Sequence, residues 1–127
     1  MVTDQIADLL IRIKNGSLAR REAVEVPYSQ TKEKIAMILK KENYLKNVKT
    51  QANRTIICEL QYQAGKPALT SVQRVSKPGR RVYKTWQKVP WTLSGYGITL
   101  VSTSQGIMTD QEARKKKLGG EIIAQIW

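Results

Sequence analysis

The segment 98–127, ITLVSTSQGIMTDQEARKKKLGGEIIAQIW, holds strand, turn and helix signals in close succession. Its apolar runs predict three strands, at residues 98–102, 107–108 and 121–127. Thr109 and Glu112 have the spacing of a capping box, so a short helix begins there, and Leu118-Gly119-Gly120 ends it. This order predicts a strand-rich unit with one short helix.

The residues before this segment predict further short strands. Residues 69–75 and 81–84 are strands in this interpretation. Between them, Lys77-Pro78-Gly79-Arg80 has Pro and Gly in the central positions of a type II turn. Residues 86–97 are irregular, with a short helical turn expected around residues 90–93.

The first half of the chain predicts a helix, a strand, a second helix and two more strands. Thr3 can cap the first helix and Asn15-Gly16 ends it, whereas Ser29 caps the second helix and Asn43 ends it. The strands are predicted at residues 23–27, 44–49 and 54–62, and residues 63–67 have the composition of a linker. We therefore expect an α/β (α+β) fold of two small units, residues 1–65 with the order α-β-α-β-β and residues 66–127.

The charge of the chain is strongly positive and unevenly distributed. It has 22 Lys and Arg against 10 Asp and Glu, a formal net charge of +12. No acid occurs between Glu59 and Asp110, although this stretch of 50 residues contains seven basic ones. Folded domains normally mix both signs on their surface, so this stretch indicates a polyanionic partner. The plain alternative is a solvated surface, and a membrane is disfavoured because the first helix has no Trp or Phe on its apolar face.

The composition disfavours most enzymatic chemistry. The chain has no His, which is the usual general base and the commonest zinc ligand. Its one Cys, Cys58, alternates with Ile56 and Leu60, which fits a buried thiol better than a nucleophile. The sequence contains no GxxxxGK[ST] motif of a phosphate-binding loop. We also expect no targeting segment and no membrane span. The prediction is a binding protein with no cofactor, no metal and no small-molecule substrate.

Three hydroxyl residues lie together in the loop Ser102-Thr103-Ser104-Gln105-Gly106. Such residues are common in turns because their side chains bond the local backbone, which by itself accounts for the pattern. Small hydroxyls can also approach a base edge, a 2′-OH or a phosphate, and Gly106 lets the backbone come close. The sequence leaves both interpretations open.

Basic and aromatic residues accompany this loop. Lys77 is a candidate phosphate contact, and Arg80 and Arg81 would point to opposite faces of a strand, so only one need reach a ligand. Tyr83 offers a ring for stacking on a base, with packing in the core as the alternative. The three residues that close the last helix, Lys115, Lys116 and Lys117, either face phosphates or form a solvated helix end.

Several blocks together point to a family. They are residues 102–110, 74–83 and 112–114, Gly119-Gly120-Glu121, and near the start Thr3-Asp4 and residues 24–27. In this order and at this length they resemble small-subunit ribosomal protein eight of the bacterial type. The chain departs from the family pattern at Ala124 and Gln125, where Cys and Tyr are frequent.

The resemblance implies a protein that binds the central domain of small-subunit ribosomal RNA directly and supports small-subunit assembly. Neighbouring small-subunit ribosomal proteins would be partners, and the protein would be cytoplasmic and ribosome-bound, or bound to an organellar ribosome. The alternative function is an RNA-binding translational repressor of its own operon. The expected RNA contacts are Ser102, Thr103, Ser104, Gln105, Gly106, Tyr83, Lys77, Arg80, Arg81, Gly120, Glu121, Lys115, Lys116, Lys117, Thr3, Asp4, Arg12 and Asn15. Glu121 would accept from a base amine or position the loop.

Two rival functions are weaker on these residues. A sequence-specific DNA regulator needs exposed Arg, Asn or Gln at the start of a recognition helix, and the second helix offers only Gln30 and Lys32. A nuclease needs clustered carboxylates to hold metal, and the basic half has none before Asp110.

Overall fold

The computed structural model describes residues 5–52, 54–92 and 96–127. The chain divides into two compact units, Met1–Thr70 and Ser71–Trp127. Each combines helix with antiparallel strands, so the expected α+β class is confirmed. The predicted boundary between the two units after residue 65 stays a prediction.

The first unit places two helices on a three-stranded sheet. Its elements in chain order are α1 (Gln5–Leu18), β1 (Ala23–Pro27), α2 (Gln30–Lys41), β2 (Leu45–Gln51), β3 (Thr55–Leu60), β4 (Tyr62–Gln63) and β5 (Lys66–Pro67). The antiparallel sheet has the order β1-β3-β2, with α1 against β1 and β3 and with α2 against β2. Alternate residues of β3, Ile56, Cys58 and Leu60, are buried in the shared core. The predicted order of helices and strands is confirmed.

Helix α2 begins and ends as its sequence predicts. The Ser29 side chain accepts a hydrogen bond from the backbone N–H of Lys32 at 3.1 Å. Asn43 follows the helix with a φ of 67°, the left-handed conformation that terminates helices.

Helix α1 runs past the end that its sequence predicts. Asn15 and Gly16 lie inside the helix, which continues to Leu18. A Cβ atom at Gly16 would lie 2.5 Å from Cγ1 of Val24, so the glycine permits close packing of α1 on β1. The left-handed residue is instead Arg20, with a φ of 59°. The predicted stop is wrong because this glycine serves packing and not termination.

The predicted linker is an ordered hairpin. Strands β4 and β5 pair around Ala64 and Gly65, whose φ angles of 51° and 78° are those of the tight turns that fit strand twist. Arg20 donates to the carbonyl oxygen of Gly65, and the Tyr62 hydroxyl donates to that of Arg21 at 2.6 Å. Because these bonds hold the segment to the residues after α1, the linker interpretation is wrong.

The second unit is built around its last strand. Its elements are β6 (Val72–Arg74), β7 (Tyr83–Lys84), a 3₁₀ helix (Trp86–Lys88), β8 (Ile98–Thr103), β9 (Gly106–Thr109), α3 (Asp110–Lys116) and β10 (Gly120–Ile126). Strand β10 pairs with β8 on one edge and with β6 and β7 on the other, and β9 lies beyond β8. Helix α3 packs on β8 and β9, and the buried cluster consists of Val89, Val101, Met108, Ala113 and Ile122.

The strands around the basic turn are shorter than predicted. Residues 69–75 are reduced to Val72–Arg74 and residues 81–84 to Tyr83–Lys84, because both pair with β10 and not with each other. The turn itself is present, but the φ of Gly79 is not positive, so the type II assignment is wrong. The helical turn lies at Trp86–Lys88 instead of around residues 90–93, of which residue 93 lies outside the described residues.

Candidate nucleic-acid interface

The hydroxyl loop is the tip of the β8–β9 hairpin. Thr103 pairs with Gly106 at the end of the ladder, and Ser104 and Gln105 form the exposed two-residue connection. Gly106 has a φ of 112°, and nothing lies within 4 Å of the place where its Cβ would be. The position therefore needs glycine for its backbone conformation and not for lack of space.

The three hydroxyls of this hairpin have different surroundings. The Thr103 hydroxyl donates to the Gly106 carbonyl oxygen at 2.8 Å and accepts the backbone N–H of Gln105 at 3.1 Å. Within the described part of the chain, the hydroxyls of Ser102 and Ser104 have no hydrogen-bond partner. The local-turn interpretation therefore accounts for Thr103, whereas Ser102 and Ser104 keep their bonding capacity for a ligand.

Three predicted site residues meet across the sheet although they are far apart in sequence. Glu121 of β10 lies opposite Tyr83 of β7 on one side and opposite Ser102 of β8 on the other. Directly opposed residues project from the same face of a sheet, so these side chains form one row. Tyr83 is 67% exposed, which excludes the alternative of an aromatic packed in the core.

Two glycines make this row possible. A Cβ atom at Gly120 would overlap the carbonyl oxygen of Ser102, and one at Gly119 would lie 2.5 Å from the carbonyl oxygen of Lys84. Strand β10 thus enters the sheet closely confined between the backbones of β7 and β8. Because Gly120 has no side chain, β10 can pair closely with β8, and Glu121 then lies opposite Tyr83 and Ser102.

Glu121 is held in an ion pair. Nη1 of Arg81 lies 3.1 Å from Oε2 of Glu121, and the exposed fractions of the two side chains are 49% and 19%. The neighbouring Arg80 is exposed and has no side-chain partner in the described part of the chain. The two arginines therefore have different surroundings. The expected reason, opposite faces of one strand, is wrong because β7 begins only at Tyr83, and which arginine reaches a ligand stays a prediction.

The basic turn protrudes from the edge of the sheet. Lys77 and Arg80 exchange two backbone hydrogen bonds of 2.9 Å across Pro78-Gly79. The base of the turn is closed by Ser76, which is fully buried and whose Oγ accepts the backbone N–H of Val82 at 2.8 Å. Sequence reasoning did not single out Ser76, whose only visible signal is a small hydroxyl residue just before a turn.

The lysines at the end of α3 are exposed. Lys115, Lys116 and Lys117 close the helix, and Lys117 has a left-handed φ of 57° at the C-cap. Cations at this end complement the helix dipole. In the described residues the three side chains form no hydrogen bond or ion pair, so their ammonium groups are available to contact phosphates.

A buried ion pair supports the hairpin from behind. Asp110 is 2% exposed, and its oxygens accept from the N–H of Thr99 at 3.2 Å and from Arg114 at 2.7 Å. Arg114 also donates to the carbonyl oxygen of Val89 and lies 3.6 Å above the ring of Trp91. These contacts fix the start of α3 against β8. The i, i+4 spacing of Asp110 and Arg114 was a signal for this pair that sequence reasoning did not use.

The first unit presents its own candidate residues around a cleft. Arg12 donates to Asp8 and to the carbonyl oxygen of Glu25, each at 3.0 Å, and Asn15 is exposed one turn further along α1. Both line a cleft of about 640 Å³, to which Arg21 adds a second guanidinium. Thr3 and Asp4, the other two residues predicted here, lie outside the described residues.

The titratable and metal-binding chemistry of the described residues is limited. Burial raises the pKa of the Cys58 thiol to about 11, so the reactive thiolate is disfavoured at neutral pH. In residues 5–52, 54–92 and 96–127, no three acidic, His or Cys side chains lie close enough together to hold a metal ion. None of the described helices has the length and apolar character needed to cross a membrane.

Comparison with known proteins gives matches along the whole chain. A family model described as Ribosomal protein S8 matches residues 4–127. Small ribosomal subunit protein uS8 of Mycoplasmopsis pulmonis is 46% identical over 130 residues, which cover 100% of this chain and 98% of that protein. The uS8 protein of Streptococcus uberis is 47% identical over 131 residues, with 100% and 99% covered. Protein uS8c of Oltmannsiellopsis viridis is 40% identical over 129 residues and is covered completely, as is this chain.

Proposed function

Because the chain belongs to the ribosomal protein S8 family, we propose that it binds the central domain of small-subunit ribosomal RNA directly and thereby supports assembly of the subunit. Membership confirms the family inferred from the sequence blocks. The chain is accordingly a structural ribosomal protein of the small subunit and not an enzyme.

The observation that carries this proposal is the row Tyr83–Glu121–Ser102 beside the hairpin tip. The row offers the exposed ring of Tyr83, the carboxylate of Glu121 and the hydroxyl of Ser102. In the described residues the hydroxyls of Ser102 and of the nearby Ser104 have no hydrogen-bond partner. A-form RNA presents 2′-hydroxyls and base edges in a wide, shallow minor groove, which small hydroxyl side chains can approach. Bulged bases can stack on an exposed tyrosine ring.

Charge supplies the second part of the recognition. From residue 71 to the end the chain has ten basic and three acidic residues, and two of these acids, Asp110 and Glu121, are paired with arginines. The proposed phosphate contacts are Lys77, Arg80 and the three lysines at the end of α3. Such contacts release counterions, supply affinity without sequence preference and fix the protein's register on the RNA.

Gly106, Gly120 and Gln105 complete the proposed surface. The open space at Gly106 would let the RNA backbone approach, and the missing side chain of Gly120 lets β8 come close. Gln105 presents an exposed amide at the hairpin tip. In the first unit, Arg12 and Asn15 would hold flanking RNA backbone, together with Thr3 and Asp4. Neighbouring small-subunit ribosomal proteins are the expected protein partners, and the protein would be bound to a cytoplasmic or an organellar ribosome.

A binding experiment on separate RNA domains tests the proposal. The full chain is titrated with transcripts of the central domain of small-subunit ribosomal RNA and of the other major domains, at one fixed salt concentration. We expect the central-domain transcript to bind at least tenfold more tightly than the others. Equal binding to all the transcripts would contradict the proposal. Footprinting of the bound transcript then identifies the protected helix.

A further inference from the structure

Two adjacent arginines of equal charge have different surroundings in this protein. Arg80 ends the protruding turn with its side chain exposed and without a partner in the described residues. Arg81 lies 3.1 Å from Glu121, whose carboxylate is only 19% exposed. The sequence left open which of the two reaches a ligand, and the ion pair of Arg81 distinguishes them.

Glu121 is fixed at a place where an acid is unfavourable for binding a polyanion. Its strand is paired on both sides, opposite Tyr83 and Ser102, and Gly120 leaves no room for the strand to shift. An unpaired carboxylate in this row would repel phosphates, and partial burial would increase the cost of its charge. Arg81 cancels that charge and bonds Oε2, while Oε1 has no partner in the described part of the chain.

We propose that Arg81 is a positioning residue for Glu121, and that Arg80 alone of the two meets a phosphate. With Oε2 held by Arg81, Glu121 directs Oε1 toward the exocyclic amine of an unpaired base, for which a carboxylate is a suitable acceptor. If Arg81 turned to a phosphate instead, it would leave the carboxylate unpaired beside the RNA. This inference rests on the proposed function, and it makes Glu121 the residue of the proposed surface that selects a base.

The matched variants Arg80→Ala and Arg81→Ala test this division, since each removes one positive charge at neighbouring positions. Binding is measured over a range of salt concentrations to a central-domain transcript and to a generic RNA duplex. We expect Arg80→Ala to lower the slope of log K against log salt by about one unit and to leave the ratio of the two affinities unchanged. We expect Arg81→Ala to keep the slope and to lower that ratio about tenfold.

A double-mutant cycle shows whether Arg81 acts through Glu121. Glu121→Gln should lower the affinity ratio, and adding Arg81→Ala to it should cause little further loss, because the partner of Arg81 is already altered. Arg81→Lys keeps the charge but not the planar fork, so it should restore part of the ratio. Thermal melting of every variant shows that it is folded. If Arg81→Ala does not fold, the same comparison is made with Arg81→Lys and Arg80→Lys. Only Arg81→Lys should then change the ratio of the two affinities.

Two results separate this inference from the function on which it rests. If wild-type protein bound central-domain and generic RNA equally, the proposed function itself would be wrong. If wild-type protein discriminated between them but Arg81→Ala behaved as Arg80→Ala does, or if the losses in the cycle were additive, only the positioning role of Arg81 would be overturned.

Discussion

Thr103 closes the β8–β9 turn by donating its hydroxyl hydrogen to the carbonyl oxygen of Gly106, 2.8 Å away. The same hydroxyl accepts the backbone N–H of Gln105 at 3.1 Å. Ser104 is exposed next to it and has no side-chain partner in the described residues. The hydroxyl loop therefore combines a residue that shapes the turn with residues that can contact a ligand.

Thr103→Ala and Ser104→Ala should separate these two roles. Thr103→Ala should lower the free energy of unfolding by about 1 kcal/mol because the turn loses its internal hydrogen bonds. Ser104→Ala should change that free energy by less than about 0.5 kcal/mol. It should nevertheless weaken binding to the central-domain transcript by about 1–3 kcal/mol, since a polar group of the RNA loses its partner. Urea unfolding and calorimetric titration measure the two quantities. An equal loss of binding to generic duplex RNA would show that Ser104 does not select the cognate RNA, and no loss on either RNA would show that it makes no contact.

Gly120→Ala should destabilise the second unit. The added methyl group would overlap the carbonyl oxygen of Ser102, and neither strand can move without breaking the ladder. We expect a loss of about 1–3 kcal/mol in the free energy of unfolding. The control is Gly79→Ala, because Gly79 has nothing within 4 Å and no positive φ, and this change should be neutral or stabilise by about 0.4–1 kcal/mol. Equal unfolding midpoints in urea for the two variants would contradict this account of Gly120.

Thr109→Ala should affect both stability and RNA binding. Its hydroxyl accepts the N–H of Glu112 at 3.3 Å at the start of α3, and Thr109 is also the last residue of β9. Removal of the cap should cost about 1 kcal/mol of stability and disturb the hairpin. Ser29→Ala removes the matching cap of α2 in the first unit, so it should cost a similar amount without weakening binding through the hairpin. Thermal melting and binding to the central-domain transcript should therefore change together only for Thr109→Ala.

Replacement of the lysines at the end of α3 should weaken binding without changing its specificity. Lys115→Ala, Lys116→Ala and Lys117→Ala should each lower the salt slope by about one unit where the replaced lysine meets one phosphate. Cognate and generic RNA should be weakened alike, because phosphate contacts carry no sequence information. Lys34→Ala is the control, since Lys34 is exposed on α2 in the other unit. A slope unchanged in all three variants would show that these lysines form only a solvated helix end.

The buried thiol predicts a loss of stability at high pH. Burial raises the pKa of Cys58 to about 11, whereas an unfolded thiol titrates near 8.5. The unfolded chain therefore releases this proton first as pH rises, and the contribution of Cys58 to stability falls between about pH 8.5 and pH 11, by about 3 kcal/mol. Other groups titrate in the same range, so the measured quantity is the difference in unfolding free energy between wild type and Cys58→Ala. This difference should shrink as pH rises, and a constant difference from pH 8 to pH 11 would contradict the prediction.

The sequence by itself determined several local features and the family. The caps at Ser29 and Thr109 and the left-handed Asn43 depend on residues within a few positions of one another, so their signals are readable without the fold. The alternation of Ile56, Cys58 and Leu60 likewise predicts the buried face of β3 because side chains alternate along a strand. The blocks that pointed to ribosomal protein S8 are also continuous stretches of sequence, so the family needed no structure.

Only the tertiary structure decided which of these residues face one another. The sequence placed Glu121 among the candidate residues, but only the pairing of β10 with β7 and β8 brings it opposite Tyr83 and Ser102. Its ion-pair partner Arg81 lies 40 residues away in sequence. The packing role of Gly16 and the engagement of the Thr103 hydroxyl were equally invisible in the sequence. In a sheet a shift of one residue in register moves every side chain to the opposite face, and no neighbouring residue records the register. For that reason the sequence could name the candidate residues, while the pairing of distant strands determined which of them face one another.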